Sequence, residues 1–207
     1  MRYARIPEQT VRRLPVYLRA LLSWTDLGRE YISSEDLARC VGVHSWQVRK
    51  DFSYFGEFGT PGVGYPVSRL SGQIKRILRL SGSKRAALIG VGNLGRAILA
   101  YGGFSRYGLE IAAAFDCDPA KVGQRIQGIE IEDMANVAVL QDRKISLAVL
   151  AVPVGVAQEV VDSLVAAGIK GFLSFAACHV AVPRKVKVIS IDIAMDLASL
   201  PYYLPSD

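Results

Sequence analysis

The hexapeptide GVGNLG (Gly90–Gly95) constrains the fold of this chain more than any other segment. The apolar run RAALI precedes it, and the helix-like run GRAILAY starts at its last glycine. A second apolar run ends at Asp116, 21 positions past that glycine. A strand, a glycine turn, a helix and a strand that ends in an acidic residue are typical of a dinucleotide-binding fold. The sequence therefore predicts an α/β fold built on a Rossmann-like sheet.

The glycine turn also predicts a site for a nucleotide cofactor. Gly90 permits a tight turn, Gly92 lets a pyrophosphate approach the backbone, and Gly95 allows the helix to pack closely on the strand. The N-terminus of the helix supplies an anion site. Asp116 is expected to accept hydrogen bonds from the ribose hydroxyls of adenosine, which favours NAD(H) over NADP(H). The nearby cations Lys121 and Arg125 slightly weaken that preference.

Further apolar runs extend the predicted sheet. Strands are indicated at ISLAVLAV, IKGFLSF and VKVISIDI, with a helix after the first of them. Strands this apolar suit a parallel sheet covered on both faces, in which ligands sit at the carboxyl ends of the strands. Residues at the carboxyl ends of these strands are therefore counted as candidate cofactor-binding residues, together with the glycine turn and its neighbours. The candidate cofactor-binding residues are Gly90, Val91, Gly92, Asn93, Leu94, Gly95, Arg96, Asp116, Lys121, Val152 and Pro153, with Ser174, Phe175 and Ala176 expected nearby.

The basic charge of the chain lies in its N-terminal part. Residues 1–84 contain 14 Lys and Arg against 7 Asp and Glu, whereas residues 85–207 contain 11 against 12. A basic excess confined to one end of a chain indicates a module that faces phosphates. A solvated basic surface would explain this charge equally well. The pattern of helices in this part therefore has to distinguish a phosphate-binding module from such a surface.

Helices joined by a tight turn are predicted in this basic part. The run TVRRLPVYLRALLSW is amphipathic, with Pro15 expected in or near the first turn of its helix and a kink at Pro15 as the alternative. The pair Ser33-Ser34 is expected to cap a second helix that ends at Gly42, and Ser45 to cap a short third helix. A helix, a glycine-containing turn and a second helix form a helix-turn-helix, whose second helix enters the major groove of DNA.

The third predicted helix carries side chains suited to DNA. Gln pairs with adenine and Arg with guanine, while Lys, Ser and Tyr hold phosphates. The run EFGTPGVGYPV cannot be helical and predicts a tight turn, the wing of a winged helix, whose bare backbone can approach a minor groove. The candidate DNA-binding residues are Ser45, Gln47, Arg49, Lys50, Ser53, Tyr54, Gly59 and Gly62. A three-helix bundle whose polar helix merely faces water is the alternative.

These motifs resemble those of a known family. The N-terminal part, with SSEDLA followed by QVRKDFSYFGEFGTPGVGY, resembles the winged-helix signature of the redox-sensing bacterial repressors called Rex. Further segments of that family resemble AAFDCDPAKVG, VPVGVAQ, AGIKGFLSF and IDI, so the resemblance covers nearly the whole chain. The chain departs from the family at Ser174, Ala177 and Ile193, where Asn, Pro, and Phe or Leu are usual.

The domain boundaries combine residue patterns with this resemblance. The linker Ser81–Ser83 separates a winged-helix domain over residues 1–80 from a dinucleotide-binding domain over residues 84–193. The segment 194–207 contains a predicted helix, AMDLASLPYYL, whose apolar residues need a partner. The resemblance implies a helix that is swapped into the second subunit of a homodimer. Packing of the helix on its own domain is the alternative.

The resemblance further implies a switch between two states. The homodimer would bind palindromic operators on double-stranded DNA and respond to the balance of NADH and NAD. Ile193 is implied to reach toward the nicotinamide bound by the partner subunit. Asp192 is implied to pair with Arg19 in the DNA-binding state and with Tyr101 in the NADH state.

The sequence also predicts a cytoplasmic protein without a metal site. There is no signal-peptide pattern, and the longest apolar runs are much shorter than a membrane span. Cys40, Cys117 and Cys178 are widely separated and odd in number, which fits a reduced compartment. His44 and His179 are the only histidines, and none of these residues has the spacing of zinc ligands.

Regulation is favoured over catalysis. A dehydrogenase needs a proton-transferring side chain in the cofactor cleft and room for a substrate. The region that follows the linker barely completes a dinucleotide-binding fold, so we expect no enzyme. Two alternatives remain open: a small NAD-dependent oxidoreductase with a basic N-terminal appendage, and a CoA-binding module, which shares a similar glycine turn.

Overall fold

The computed structural model describes residues 6–60 and 62–204. Pro61, in the predicted wing, and residues 205–207, at the end of the predicted C-terminal segment, lie outside the described residues. The chain divides into two compact units after Gly82.

The N-terminal unit consists of helices and a small antiparallel sheet. Its elements in chain order are α1 (Glu8–Asp26), β1 (Tyr31–Ile32), α2 (Ser34–Val41), α3 (Ser45–Ser53), β2 (Tyr65–Pro66) and α4 (Val67–Ile77). The strand β1 pairs with β2, with Ile32 opposite Tyr65. Leu14, Leu18 and Leu21 recur at helical spacing on α1 and are buried, so the predicted apolar face of this helix forms part of the core.

Of the predicted cap pair Ser33-Ser34, Ser33 is the N-cap of α2 and Ser34 is already helical, while the predicted end at Gly42 is confirmed. The predicted start of α3 is wrong by one residue. Ser33 Oγ accepts a backbone hydrogen bond from the first turn of α2 at 3.0 Å, and Gly42 ends the helix with φ of +72°. Ser45 is already helical. The N-cap of α3 is His44, which is extended and whose carbonyl accepts the N–H of Gln47 at 2.9 Å.

Pro15 lies inside α1, at the eighth residue, and not in or near the first turn. A proline there cannot donate the backbone hydrogen bond that an α-helix would direct to the carbonyl of Val11. The buried neighbours Leu14 and Leu18 hold the helix continuous across this position. Tertiary packing therefore outweighs the local preference that placed Pro15 near the helix start.

The glycine-rich run after α3 forms the predicted tight turn. The N–H groups of Thr60 and Gly64 each donate to the carbonyl of the other at 3.0 Å. The next helix, α4, starts at Val67, which is buried and belongs to the apolar face of the helix, and it ends before Leu78.

The C-terminal unit is a doubly wound α/β domain. Its elements in chain order are β3 (Lys84–Ile89), α5 (Asn93–Ala100), β4 (Leu109–Asp116), β5 (Arg125–Ile126), β6 (Ile129–Asp133), α6 (Val139–Asp142), β7 (Leu147–Leu150), α7 (Ala157–Ala166), β8 (Gly171–Ser174), β9 (Lys187–Ser190) and α8 (Ile193–Ala198). The strand order is β5-β6-β4-β3-β7-β8-β9, and every pair except β5–β6 is parallel. The six parallel strands thus follow the 3-2-1-4-5-6 order of a Rossmann fold.

The sheet of this unit is covered on both faces, as its apolar strands predicted. Alternate residues of β3 pack into different apolar clusters, with Ala87 and Ile89 in one and Leu88 in the other. The hairpin β5–β6 was not predicted. Its turn is Gln127–Gly128, both with positive φ, which suits the tight connection of a hairpin.

The C-terminal segment differs from the prediction. The strand predicted through Ile193 ends at Ser190, and α8 starts at Ile193 rather than at Ala194. The helix ends after six residues, and the 3-10 helix Leu200–Tyr203 follows. Pro201 lacks the N–H that a continuous α-helix would need at this position.

Candidate functional site

The glycine turn between β3 and α5 has the tight geometry that its sequence predicts. Gly90 has φ of +89°, and a Cβ there would collide with the carbonyl oxygen of Ala151. A Cβ on Gly95 would collide with the carbonyl oxygen of Gly90, so α5 packs directly on the turn. Beyond its chain neighbours, no described heavy atom lies within 4 Å of a Cβ built on Gly92. The backbone of Gly92 is therefore open to a ligand.

Asp116 ties this turn to the carboxyl end of β4. The residue is 6% exposed, and its carboxylate accepts the N–H of Val91 at 2.7 Å and the N–H of Asp118 at 2.9 Å. Lys121 Nζ donates to it at 3.1 Å. Burial alone raises the pKa of Asp116, but these donors outweigh burial and hold the pKa below its ordinary value. The group is an anion at neutral pH and is held where β4 ends.

A cavity of about 890 Å³ lies where the loops that follow β3 and β7 come together. These two strands are neighbours at the point where the chain reverses its direction of travel across the sheet. Doubly wound sheets bind their ligands at this switch point. Eight of the predicted cofactor-binding residues line the cavity: Gly90, Gly92, Asn93, Leu94, Asp116, Lys121, Val152 and Pro153.

The other predicted residues lie elsewhere in the described part of the chain. Val91 is fully buried, and Gly95 lies behind the turn. Arg96 is exposed and donates to Gln124 Oε1 at 3.4 Å. Ile193 is 67% exposed on α8. The cavity lining also does not include the residues expected at the end of β8, which are Ser174, Phe175 and Ala176.

Among the cavity-lining residues that sequence reasoning missed are two groups that lie beyond the immediate neighbours of the predicted residues. The first group follows β6 and consists of Met134, Ala135 and Val137. It was missed because the hairpin that leads to it was not recognised. The second group is Val156, Glu159, Val160 and Ser163, on α7 and the turn before it. Their near-helical spacing after the VP dipeptide is a signal that could have found them.

In the N-terminal unit, α3 has a buried face and an exposed face. Val48 and Phe52 are buried, in keeping with their spacing of four residues, and Asp51 is buried beside them. The exposed side chains at matching spacing are Trp46, Arg49, Lys50 and Ser53. The outward face of this helix therefore carries two cations.

Asp51 is the polar centre of this unit and was not singled out in the sequence. Its side chain is fully buried and accepts hydrogen bonds from Thr10 Oγ1 at 2.9 Å and Tyr17 Oη at 2.7 Å. Arg13 donates to both of its oxygens, and Gln47 Nε2 donates at 2.9 Å. Burial alone raises the pKa of Asp51, but these donors hold it below its ordinary value. The carboxylate thus fastens α3 to α1.

The predicted DNA-binding residues of α3 differ in how firmly they are held. Arg49 donates to Ser34 Oγ at 2.7 Å and lies 3.2 Å from Glu35 Oε1, both at the start of α2. Lys50 is exposed, and Ser53 Oγ donates to the carbonyl of Lys50 at 2.8 Å. Arg49 is therefore oriented by α2, whereas Lys50 extends outward from the helix.

The remaining predicted DNA-binding residues lie at the ends of α3 and in the wing. Ser45 is the first residue of α3 and Tyr54 its C-cap, and both are half-buried. Gly59 and Gly62 are exposed. Both glycines line a cleft of about 730 Å³ bounded by the start of α2, the end of α3 and the wing, and this cleft also includes Arg49 and Ser53.

Each residue of the implied switch lies near the surface of its own unit. Arg19 is exposed on α1. Tyr101, 60% exposed at the end of α5, packs edge-on against Phe104 with ring centroids 5.2 Å apart. Asp192 caps α8, where its Oδ1 accepts the N–H groups of Ala194 and Met195 at 3.1 Å.

The described residues contain neither a membrane-spanning helix nor a metal-binding cluster. Over residues 6–60 and 62–204, no helix combines the length and the apolar character needed to cross a bilayer. Within the same ranges, no three or more His, Cys, Asp or Glu side chains are grouped in a way that could hold a metal ion.

A winged helix and a doubly wound sheet with a cavity at its switch point define a class: DNA-binding transcription regulators with a nucleotide-binding domain. Two family models match the chain in the corresponding places. "Putative DNA-binding protein N-terminus" matches residues 5–53, and "CoA binding domain" matches residues 82–178.

Similar proteins narrow this class to one family. The redox-sensing transcriptional repressor Rex of Chloroflexus aggregans is 45% identical over 199 residues, which are 96% of this chain and 94% of the relative. The Rex repressor of Streptomyces griseus is 43% identical over 96% of this chain and 79% of its own length. A crystal structure of RSP in complex with beta-NAD+ and operator DNA superposes with a TM-score of 0.89 at 33% identity, covering 96% of this chain and 92% of RSP. The chain belongs to the Rex family of redox-sensing transcriptional repressors.

Proposed function

We propose that the chain forms a cytoplasmic homodimer that binds palindromic operators on double-stranded DNA and leaves them when NADH binds. One observation carries the proposal. The same chain holds a winged helix with cations on its outward face and a cavity at which a buried carboxylate is bonded to a glycine turn. The solved relative RSP supports both halves, since its structures contain beta-NAD+ with operator DNA and, separately, beta-NADH.

In the N-terminal unit, α3 would read the major groove. Lys50 and Arg49 supply the positive charge and can each contact guanine. Asp51 holds one amide hydrogen of Gln47, and the amide oxygen and second hydrogen remain for the edge of an adenine. In a two-fold dimer the two copies of α3 would lie about 34 Å apart, one turn of DNA, which accounts for a palindromic operator. The phosphate and minor-groove contacts are assigned to Ser45, Ser53, Tyr54, Gly59 and Gly62.

In the C-terminal unit, the glycine turn and Asp116 would hold the dinucleotide. The open backbone at Gly92 and the first N–H groups of α5, at Asn93 and Leu94, suit a pyrophosphate. Asp116 can exchange one of its present donors, such as Lys121, for ribose hydroxyls. A phosphate on that ribose would meet the negative charge of Asp116, which disfavours both NADP(H) and CoA. The same Lys121 limits this discrimination because it can pair with a phosphate.

The preference for the reduced cofactor would come from apolar surroundings. Val152 and Pro153 line the cavity, and we assign Ile193 to the corresponding cavity of the partner subunit. An apolar surface penalises the cationic oxidised ring by desolvation and accepts the neutral reduced ring. Asp192 would have the opposite effect beside the ring. We therefore assign it to the switch, paired with Arg19 when the protein is on DNA and with Tyr101 when NADH is bound.

The C-terminal segment would form the dimer contact. All of α8 and the 3-10 helix that follows are exposed in the single chain, including the apolar side chains of Met195, Leu197 and Leu200. An apolar patch of this kind is expected to be covered by a partner. In a dimer whose two chains exchange this helix, each chain would cover the apolar patch of the other.

The bound NADH would act as a regulator and not as a reactant. His179, the histidine of the C-terminal unit, is exposed and does not belong to the cavity lining within the described residues. A small NAD-dependent oxidoreductase remains the alternative. It would oxidise NADH in the presence of small carbonyl compounds, whereas the repressor would leave NADH unchanged.

A gel shift tests the proposal directly. A labelled palindromic promoter fragment is mixed with the chain, and NADH, NAD and NADPH are added in turn. NADH is expected to release the DNA at concentrations where NAD and NADPH do not. Retention of the DNA at saturating NADH would contradict the proposal. A competition titration of NADH against CoA on the free protein separates the NAD(H) site from a CoA site.

A further inference from the structure

The outward face of α3 contains an aromatic side chain beside the two cations. Trp46 is 55% exposed and is the second residue of the helix. Arg49, Lys50 and Ser53 follow it at spacings of three, four and seven, which places all four side chains on one helical face. The first residues of a recognition helix are the ones that reach the edges of bases. Trp46 is thus at the reading end of this face.

A second ring supports Trp46. The imidazole of His44, the N-cap residue of α3, stacks beside the indole with ring centroids 6.2 Å apart and planes inclined by 14°. The near-parallel imidazole restricts the orientations of the indole, whose apolar ring lies ahead of the cations. Fixing a large side chain on the surface in this way lowers the entropy that would be lost on binding a partner. The pair is therefore prepared for a contact outside the protein.

We propose that Trp46, supported by His44, determines sequence specificity by contacting the 5-methyl group of a thymine in the major groove. The inference deepens the proposed operator binding and rests on it. Only thymine presents an apolar group on the floor of the major groove, and an apolar side chain is the complement of that methyl group. Arg49 and Lys50 on the same face bring the ring surface toward DNA by their charge.

Substitution of thymine by uracil removes only this methyl group and therefore tests the contact. A duplex is first selected from a random-sequence library by the wild-type chain. Each thymine of one half-site and its symmetry mate are then replaced in turn by uracil. At the thymine that Trp46 contacts, the wild-type chain is expected to lose about fourfold in affinity for each substituted half-site, since a buried methyl group contributes about 0.8 kcal/mol. Substitution in both half-sites should therefore cost about fifteenfold. Trp46→Ala is expected to lose nothing further at that same position.

The matched control is Leu27→Ala, which truncates another exposed apolar side chain of this unit, at the end of α1. It should show the same dependence on the methyl group as the wild-type chain. Trp46→Phe should keep part of this dependence. Unchanged NADH affinity and circular dichroism identify variants that are folded.

Two results would overturn the inference. One is an equal loss on uracil substitution in the wild-type chain and in Trp46→Ala at every position. The other is no loss at any position. If the wild-type chain selects no duplex at all, the proposed function fails as well, so the two failures are distinguishable.

Discussion

Replacing Asp51 with Asn is expected to loosen the recognition helix from the rest of its unit. Asn keeps the shape of the side chain and one acceptor oxygen, but it turns the second oxygen into an N–H donor. Arg13 now donates to both oxygens of Asp51, and Tyr17 donates to one of them. After the substitution, the guanidinium of Arg13 would face a donor and a neutral carbonyl instead of an anion.

The size of the effect follows from burial. Loss of one partner of a buried ion pair costs about 3–5 kcal/mol, because the remaining charge stays in a poorly hydrated site. The side chain of Arg13 keeps 25% exposure, so water can relieve part of that cost. We therefore expect the low end, about 3 kcal/mol. In a unit of this size a loss of about 3 kcal/mol lowers the melting temperature by roughly 15 °C.

Hydrogen exchange followed by mass spectrometry suits a chain with two units. Peptides from α1 and α3 report the N-terminal unit, while peptides from the Rossmann sheet serve as an internal reference. The control is Glu8→Gln, which removes an exposed ion pair with Arg12 on α1 and should cost less than about 1 kcal/mol. If Asp51→Asn cost no more than this control, the carboxylate would not be the fastening between α1 and α3.

Four further predictions concern the two sites and the effect of pH. Asp116→Ala is expected to weaken NADH binding and to leave operator binding intact, measured by a titration and a gel shift on the same preparation; loss of both would indicate misfolding instead. Arg49→Ala or Lys50→Ala is expected to abolish operator binding with unchanged NADH affinity, and operator binding that survives both changes would contradict the role given to α3. Lys121→Met removes the cation that compensates Asp116, so the ratio of NADH to NADPH affinity in competition titrations should rise, and a constant ratio would exclude a role for Lys121 in this choice. The folded pKa of Asp51 lies below its unfolded value, so the contribution of Asp51 to stability is present above the unfolded pKa and is lost as the pH falls through the folded pKa. The stability of the N-terminal unit in acid should therefore depend less on pH in Asp51→Asn than in the wild-type chain. An unchanged pH profile would contradict the role given to the Asp51 carboxylate.

Local patterns of the sequence predicted most of the architecture. The glycine turn, the apolar strands and the capping residues Ser33 and Gly42 depend on short-range sterics and hydrogen bonding, which the sequence shows directly. Pro15 was misplaced because the packing of Leu14 and Leu18 overrides a local preference. The break in the C-terminal helix before Pro201 could have been predicted from that proline alone.

The contacts of the two polar centres could not be predicted from the sequence. In the sequence, Asp51 is one of several polar residues of α3, and nothing nearby identifies its partners. These partners, Thr10, Arg13 and Tyr17, come from a helix more than 30 positions earlier. Asp116 was predicted as a ligand for ribose, but its bond to the N–H of Val91 appears only when two strands are placed side by side. Such contacts depend on the tertiary fold.

Reciprocal binding of NADH and operator is the most direct measurement of the coupling between the two units. Operator affinity is measured by fluorescence anisotropy with and without saturating NADH, and NADH affinity with and without saturating operator. Thermodynamic linkage requires the same factor in both directions, and a regulatory coupling of this kind is on the order of 10–100-fold. A matching loss of affinity in both titrations is the predicted result. Equal affinities with and without the other ligand would contradict control of DNA binding by the nucleotide cavity.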